Sequence, residues 1–263
     1  TLRDFLTRDL FCYANVPYKI KGYQDLLKDP HNTIDYDEAA GELIDQRVSQ
    51  VGADGRLIWD KNGSVYYVNL TEKLLATMLS KLSNFIPEGG IWMNTQRPEW
   101  NDANNALVGY GVSMVTLYYT RRYQQYLLDL LANSELQEVA ISEEINALLK
   151  SINSTFENNK QLLAGKINDE DRKRVVDALG EAGSQFRFGI YENDFSGNRV
   201  MLKTADLIAF LKLSLEYIDH TIEANRRDDG LYHAYNLMTA SEDSLEVSYL
   251  YEMLEGQVAV LSS

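Results

Sequence analysis

Glu88-Gly-Gly-Ile-Trp-Met-Asn-Thr-Gln-Arg-Pro-Glu-Trp-Asn-Asp-Ala-Asn-Asn105 runs directly into Ala106-Leu-Val-Gly-Tyr-Gly-Val-Ser-Met-Val-Thr-Leu-Tyr-Tyr119. The first part is a Gly-rich, Pro-containing loop that gathers Trp92 and Trp100, Asn-rich turns, Arg97 and the carboxylates Glu99 and Asp102. The second part is apolar on nearly every side, which predicts a helix enclosed by other helices. That helix is expected from about Asn105 to Leu131, roughly 40 Å at 1.5 Å per residue. Its second half, with Arg121, Arg122, Gln124, Gln125 and Asp129, should emerge toward solvent. A polar, aromatic loop feeding a buried helix is a common way for an enzyme to present a site.

Outward from this stretch the apolar spacing is mostly helical. Leu2 to Ala14 reads as an amphipathic helix stopped by Pro17, and Gly22 to Lys28 as a short one ended by Pro30. Asp35 and Glu38 resemble a capping box for a helix that Gly52 closes. Arg56 to Trp59 and Val65 to Val68, around Asp60-Lys-Asn-Gly-Ser64, predict a β-hairpin with an Asn-Gly turn. Thr71 to Phe85 returns to helix. Further helices are expected after Ser134, with Ile145 to Phe156 on one face; after Asn168, with Val175 to Phe186 in register; and from Thr204. A last one should span about Leu245 to Val260. Residues 186–197 and 225–236 read as aromatic, polar loops. The expected fold is therefore all-α: about nine helices stacked as hairpins, one small β-hairpin, and long loops gathered at one end. Residues 1–263 show no linker composition, so one domain is expected.

Composition narrows the function. With Lys plus Arg at 25 against Asp plus Glu at 39, the net charge of -14 argues against nucleic acid and anionic membrane surfaces as partners. No apolar run reaches the roughly 18 residues of a spanning helix. Cys12 is the only cysteine, and His31, His220 and His233 are too scattered for a metal site. No metal or other cofactor is therefore expected. Phosphate-cradling Gly loops, Gly-x-Ser-x-Gly elbows and His-Glu-x-x-His motifs are absent. Asn-x-Ser/Thr matches at Asn62, Asn69 and Asn153 are too common by chance to place the protein. A first residue other than Met reads as a processed or excised piece.

Chemistry points back to the focal loop. Trp92 and Trp100 offer flat apolar faces suited to sugar rings, and Arg97, Asn101 and Asn105 offer hydrogen bonds suited to hydroxyls. A carboxylic acid beside Trp can be raised by desolvation into the range of a general acid. Glu99 and Asp102 are the candidates. Glycosidic cleavage needs a second carboxylate, roughly 6.5 to 9.5 Å away for inversion or about 5 Å for retention. Asp194, Asp228, Asp229, Glu242, Glu246 and Glu255 could supply it, while Tyr232 and His233 lie in a loop suited to face the site. Equally, Asp102 could cap the long helix, and the two Trp could be core anchors.

Glu99-Trp-Asn-Asp102-Ala-Asn-Asn105, continuing through Leu107-Val-Gly109, resembles the Asp-Trp-Asn-Asp-Gly-x-Asn segment of cellobiose-phosphorylase-like enzymes. These belong to the wider group of six-hairpin, (α/α)6-toroid glycosidases. The resemblance implies a toroid-type array, complete or partial, acting on carbohydrate. It implies Asp102 as general acid, with Trp100 and Asn101 at the sugar, and a catalytic base late in the chain, where Glu255 in Met253-Leu-Glu-Gly-Gln257 is preferred. Glu99, Ala103 and Gly111 depart from the family's residues, and nothing resembles its phosphate site, so hydrolysis is expected rather than phosphorolysis. A full toroid has more helices than are expected here, which implies further domains of the same polypeptide or an incomplete variant. The competing expectation is a non-catalytic glycan-binding or structural helical domain.

Overall fold

The computed structural model describes residues 1–95 and 106–263. Four helices precede the focal loop: α1 (Leu2–Thr7), α2 (Tyr23–Lys28), α3 (Glu38–Val51) and α4 (Leu70–Leu82). After it come α5 (Met114–Ala132), α6 (Glu143–Asn158), α7 (Asp169–Asn193), α8 (Thr204–Ala224) and α9 (Leu254–Val260). Side-chain caps fix several starts. Asp37, Asn69, Ser113 and Asn168 accept the amides of Ala40, Glu72, Thr116 and Asp171, each three residues on. At the other end of α3, Gly52 takes φ 72°, a left-handed conformation open to glycine at no steric cost.

Strands fill the intervals. β1 (Phe11–Cys12) pairs with β4 (Tyr67–Val68), β2 (Tyr18–Ile20) with β3 (Ile34–Tyr36), and β8 (Glu138–Ser142) with β9 (Arg199–Lys203), all antiparallel. A five-stranded antiparallel sheet is built from β5 (Phe85–Ile86), β6 (Gly90–Trp92), β7 (Gly111–Ser113), β10 (Tyr235–Ala240) and β11 (Leu245–Tyr249), in the order β11-β10-β7-β6-β5. The Asn-Gly hairpin forms as expected: Trp59 bridges Val65, the Asp60 amide reaches the Ser64 carbonyl at 2.7 Å, and Gly63 has φ 78°.

The all-α, toroid-type expectation is thus wrong. The chain is mixed α/β, 55% helical and 18% strand, so the strand content far exceeds one small hairpin. The expected helix from Asn105 is α5 from Met114, with β7 before it. Leu245 to Val260 is β11 followed by the short α9. Asp35 lies in β3 and leaves the cap of α3 to Asp37. The expected loop 186–197 is helical as far as Asn193.

In β5 and β6 successive residues enter different cores. Phe85 and Ile91 enter the main core with Leu79, Leu117 and Tyr118, whereas their neighbours Ile86 and Trp92 enter a second core with Tyr23, Leu26 and Val176. A strand buried on both faces presents no polar side. The main core extends from Leu6 to Ala259 and is enclosed by α4, α5, α6, α7 and α8. Burying one large apolar side chain contributes about 1.5–3 kcal/mol, so this double-sided packing holds the sheet firmly between helices.

Candidate functional site

The sheet carries the focal loop. Gly109 donates its amide to the Met93 carbonyl at 2.7 Å, Met93 donates to Gly111 at 2.9 Å, and the Trp92 indole Nε1–H reaches the Gly109 carbonyl at 2.9 Å. These bonds close the loop at its base. Gly109 has φ 94°, and a Cβ there would stand 2.6 Å from the Pro30 carbonyl oxygen, so glycine is required on both counts. Of the predicted site residues, Arg97, Glu99, Trp100, Asn101, Asp102 and Asn105 lie outside the described residues.

Trp92 is only 4% exposed and sits in the second core, edge-on to Tyr23 at 6.2 Å between centroids. It also borders a cavity of about 300 Å³. The polar lining of that cavity includes Asn84, Asn94, Thr95, Lys81 and Arg187, with the Phe186 ring beside them. Asn94 Nδ2 donates to Asn84 Oδ1 at 2.7 Å, which orients the amide pair. A second, larger cleft of about 470 Å³ shares Ile20 and Thr95 with the first. Trp59, Tyr18 and Tyr191 give it aromatic walls; Asp60, Asp194 and Arg47 give it charge. Arg47 lies 4.6 Å from the Trp59 ring centroid, and Trp59 Nε1 is held by the Asp54 carbonyl at 3.0 Å, so the indole is fixed in place. The Asp60 carboxyl is held below the ordinary carboxylate range, first by the Ser64 amide and then by that of Asn62. The two cavities adjoin at Ile20 and Thr95, and Thr95 is the last described residue before the loop bearing Asp102.

Tyr232 and His233 lie just before β10, and Glu255 lies on α9, which packs against that turn. The Asn225 to Tyr235 turn folds on itself through an Arg226–Tyr232 bridge, and Gln257 of α9 clasps Tyr232 by accepting its amide at 3.0 Å and donating to its carbonyl at 2.6 Å. Tyr235 donates its hydroxyl to Glu255 Oε1 in a short hydrogen bond. His233 stacks on Tyr249 at 4.0 Å, 2° from parallel. Burial lowers its pKa, with the Arg227 charge adding to that, and its Nδ1 is buried without a partner. Val112 lies opposite both Trp92 and Asn236, so the Trp92 strand and the strand that begins with Tyr235 flank the same central strand.

Sequence reasoning missed Trp59, Tyr18, Tyr191 and Arg187 as cavity residues. Trp59 falls in the predicted hairpin, and Arg187 and Tyr191 fall in the stretch that the sequence predicts as an aromatic loop. Among the described residues no group of three or more His, Cys, Asp or Glu converges as a metal site, and no helix is long and apolar enough to cross a membrane. Comparison with known protein families and with characterised proteins finds no match.

Proposed function

We propose that the chain is a carbohydrate-active domain that hydrolyses a glycosidic bond, with Asp102 as general acid and Glu255 as the second carboxylate. The two adjoining cavities carry this reading. Rings at Trp59, Tyr18 and Tyr191, amides at Asn84 and Asn94, and charged groups at Asp60 and Arg47 are the surfaces that stack on pyranose faces and hydrogen-bond to hydroxyls. Both cavities border Thr95, next in sequence to the segment that holds the Trp100-Asn101-Asp102 motif. Glu255, on α9 and anchored by Tyr235, supplies a carboxylate beside the turn that presents Tyr232 and His233. Arg97, Glu99, Trp100, Asn101 and Asn105 complete the sugar site in this proposal, with Trp92 bracing it from the core side.

Release of reducing ends from a panel of oligosaccharides tests the proposal. Asp102→Asn and Glu255→Gln should each lower turnover by about 10²- to 10⁴-fold, the usual share of acid–base catalysis, while sugar binding persists. An unsubstituted protein that neither binds nor cleaves any glycan would overturn it.

A further inference from the structure

Among the described residues Arg187 has no carboxylate partner. It sits on α7, one turn beyond Gly183, whose missing side chain lets the helix approach α4: a Cβ at Gly183 would stand 2.8 Å from Ser83 Cβ and 3.3 Å from Arg187 Nη1. Nη2 is anchored by Ser184 Oγ at 3.1 Å and weakly by the Lys21 carbonyl at 3.4 Å. Among the described residues Nε is buried with no acceptor. Burial lowers the Arg187 pKa, yet a guanidinium keeps its proton in proteins and cannot relieve the cost by neutralising. Lys81 is also on the cavity wall and has no ion pair among the described residues. Among the described residues the lining of this cavity holds no Asp or Glu, in a chain with 39 of them.

We infer that this cavity takes the single anionic substituent of an acidic sugar, a carboxylate or a sulfate ester, with Arg187 as its counter-ion and Lys81 at the rim. The inference rests on the glycosidase reading and narrows it to acidic glycans. Arg suits the task because its planar donors match a carboxylate or sulfate, and Asn94 and Thr95 can reach the neighbouring hydroxyls. One anionic group is specified, rather than a polyanion, because the net charge of -14 opposes a densely charged polymer beyond the local reach of these two cations.

Calorimetric binding of disaccharide pairs, glucosyl against glucuronosyl and against 6-sulfated glucosyl, in each common linkage, provides the test. An acidic member should bind at least about tenfold tighter than its neutral partner. Arg187→Gln should erase that preference, Lys81→Gln should reduce it, and added salt should weaken it. The uronate and sulfate members tell the two sources of charge apart. Equal binding of neutral and acidic partners, or a preference that survives Arg187→Gln, overturns the inference. If Arg187→Gln does not fold, as judged by circular dichroism, Lys81→Glu decides: an unchanged preference overturns it. Acidic sugars bound through Arg187 but never cleaved would leave this site standing and sink the hydrolase. Neutral glycans cleaved without acidic preference would do the reverse.

Discussion

Glu88 shows how a single residue can hold the sheet edge. It adopts φ 59°, a left-handed conformation that costs a non-glycine residue strain, and it stays there because every polar group is engaged. Its carboxylate accepts the Ile167 amide and Arg172 Nη2, both at 2.9 Å, its amide donates to Thr221 Oγ1 at 3.0 Å, and its carbonyl accepts Asn225 Nδ2 at 2.9 Å. The side chains of Arg172 and Glu88 are 4% and 9% exposed, so neither charge can turn to water. Arg172 keeps Asp169 as a partner, so Glu88→Gln should lower stability by about 1–3 kcal/mol, the cost of weakening a charged hydrogen bond at a buried site. A urea midpoint unchanged from the parent would refute this. His233 makes a prediction of opposite chemical character. Its pKa lies below the ordinary 6.5, chiefly through burial and then through Arg227, with Asp229 and Glu252 pulling weakly the other way. The unfolded chain therefore binds the proton more readily, and the native state is favoured when His233 is neutral. Stability should be full above about pH 6.5 and decline as pH falls below it. His233→Gln should flatten that decline in melts between about pH 5 and 8; a decline of the same steepness in the variant would assign it to other groups.

Elements differ in how far they depend on tertiary partners, and α9 is among the most dependent. It spans Leu254–Val260, too short to be stable alone, and docks by burying Gly256 and Ala259 and by the two Gln257 bonds to Tyr232. Gln257→Ala removes both bonds, each worth about 0.5–1.5 kcal/mol. Amide exchange across α9 should then accelerate while that of α5 and α8 is unchanged. Uniform acceleration everywhere would mean that α9 opens only with the whole fold. The same dependence explains what could be read in advance. Long helices with one apolar face, such as α6 with Ile145, Leu148, Ile152 and Phe156, were legible because their 3.6-residue period survives burial. β7 was not, because Gly111–Ser113 is buried throughout and a short two-sided strand has the same apolar signature as a buried helix, while β6, only Gly90–Trp92, is hidden in a Gly-rich stretch that reads as loop. β11 did carry a signal: Leu245, Val247 and Tyr249 alternate with Glu246 and Ser248, a period of two masked by the helical pattern that follows. At the cavities, Trp59 and Arg187 could not be joined by spacing, since the hairpin and α7 meet only through tertiary packing.

At the scale of the whole molecule the governing quantity is charge. A net charge of -14 repels itself, while the interior pairs Glu88–Arg172 and Glu72–Arg199 work at 2.9 and 2.6 Å, where salt hardly intrudes. The two kinds of interaction separate by range. A folded chain of this length has a radius of gyration of about 18 Å. The Debye length is about 30 Å at 0.01 M salt but about 10 Å at 0.1 M. Raising salt across that interval at pH 7 therefore screens the molecule-wide repulsion and leaves the short buried pairs largely intact. The melting temperature should rise, by a few degrees if the repulsion is on the order of 1 kcal/mol. Near pH 4.7, where the net charge vanishes, the same addition should have little effect. A melting temperature that falls with salt at pH 7 would mean that exposed pairs such as Arg121–Asp219 outweigh the repulsion. Binding of an acidic sugar at Arg187 has the opposite dependence, because there salt screens an attraction. One salt titration of stability and of affinity thus reads the global charge and the local cavity with opposite signs.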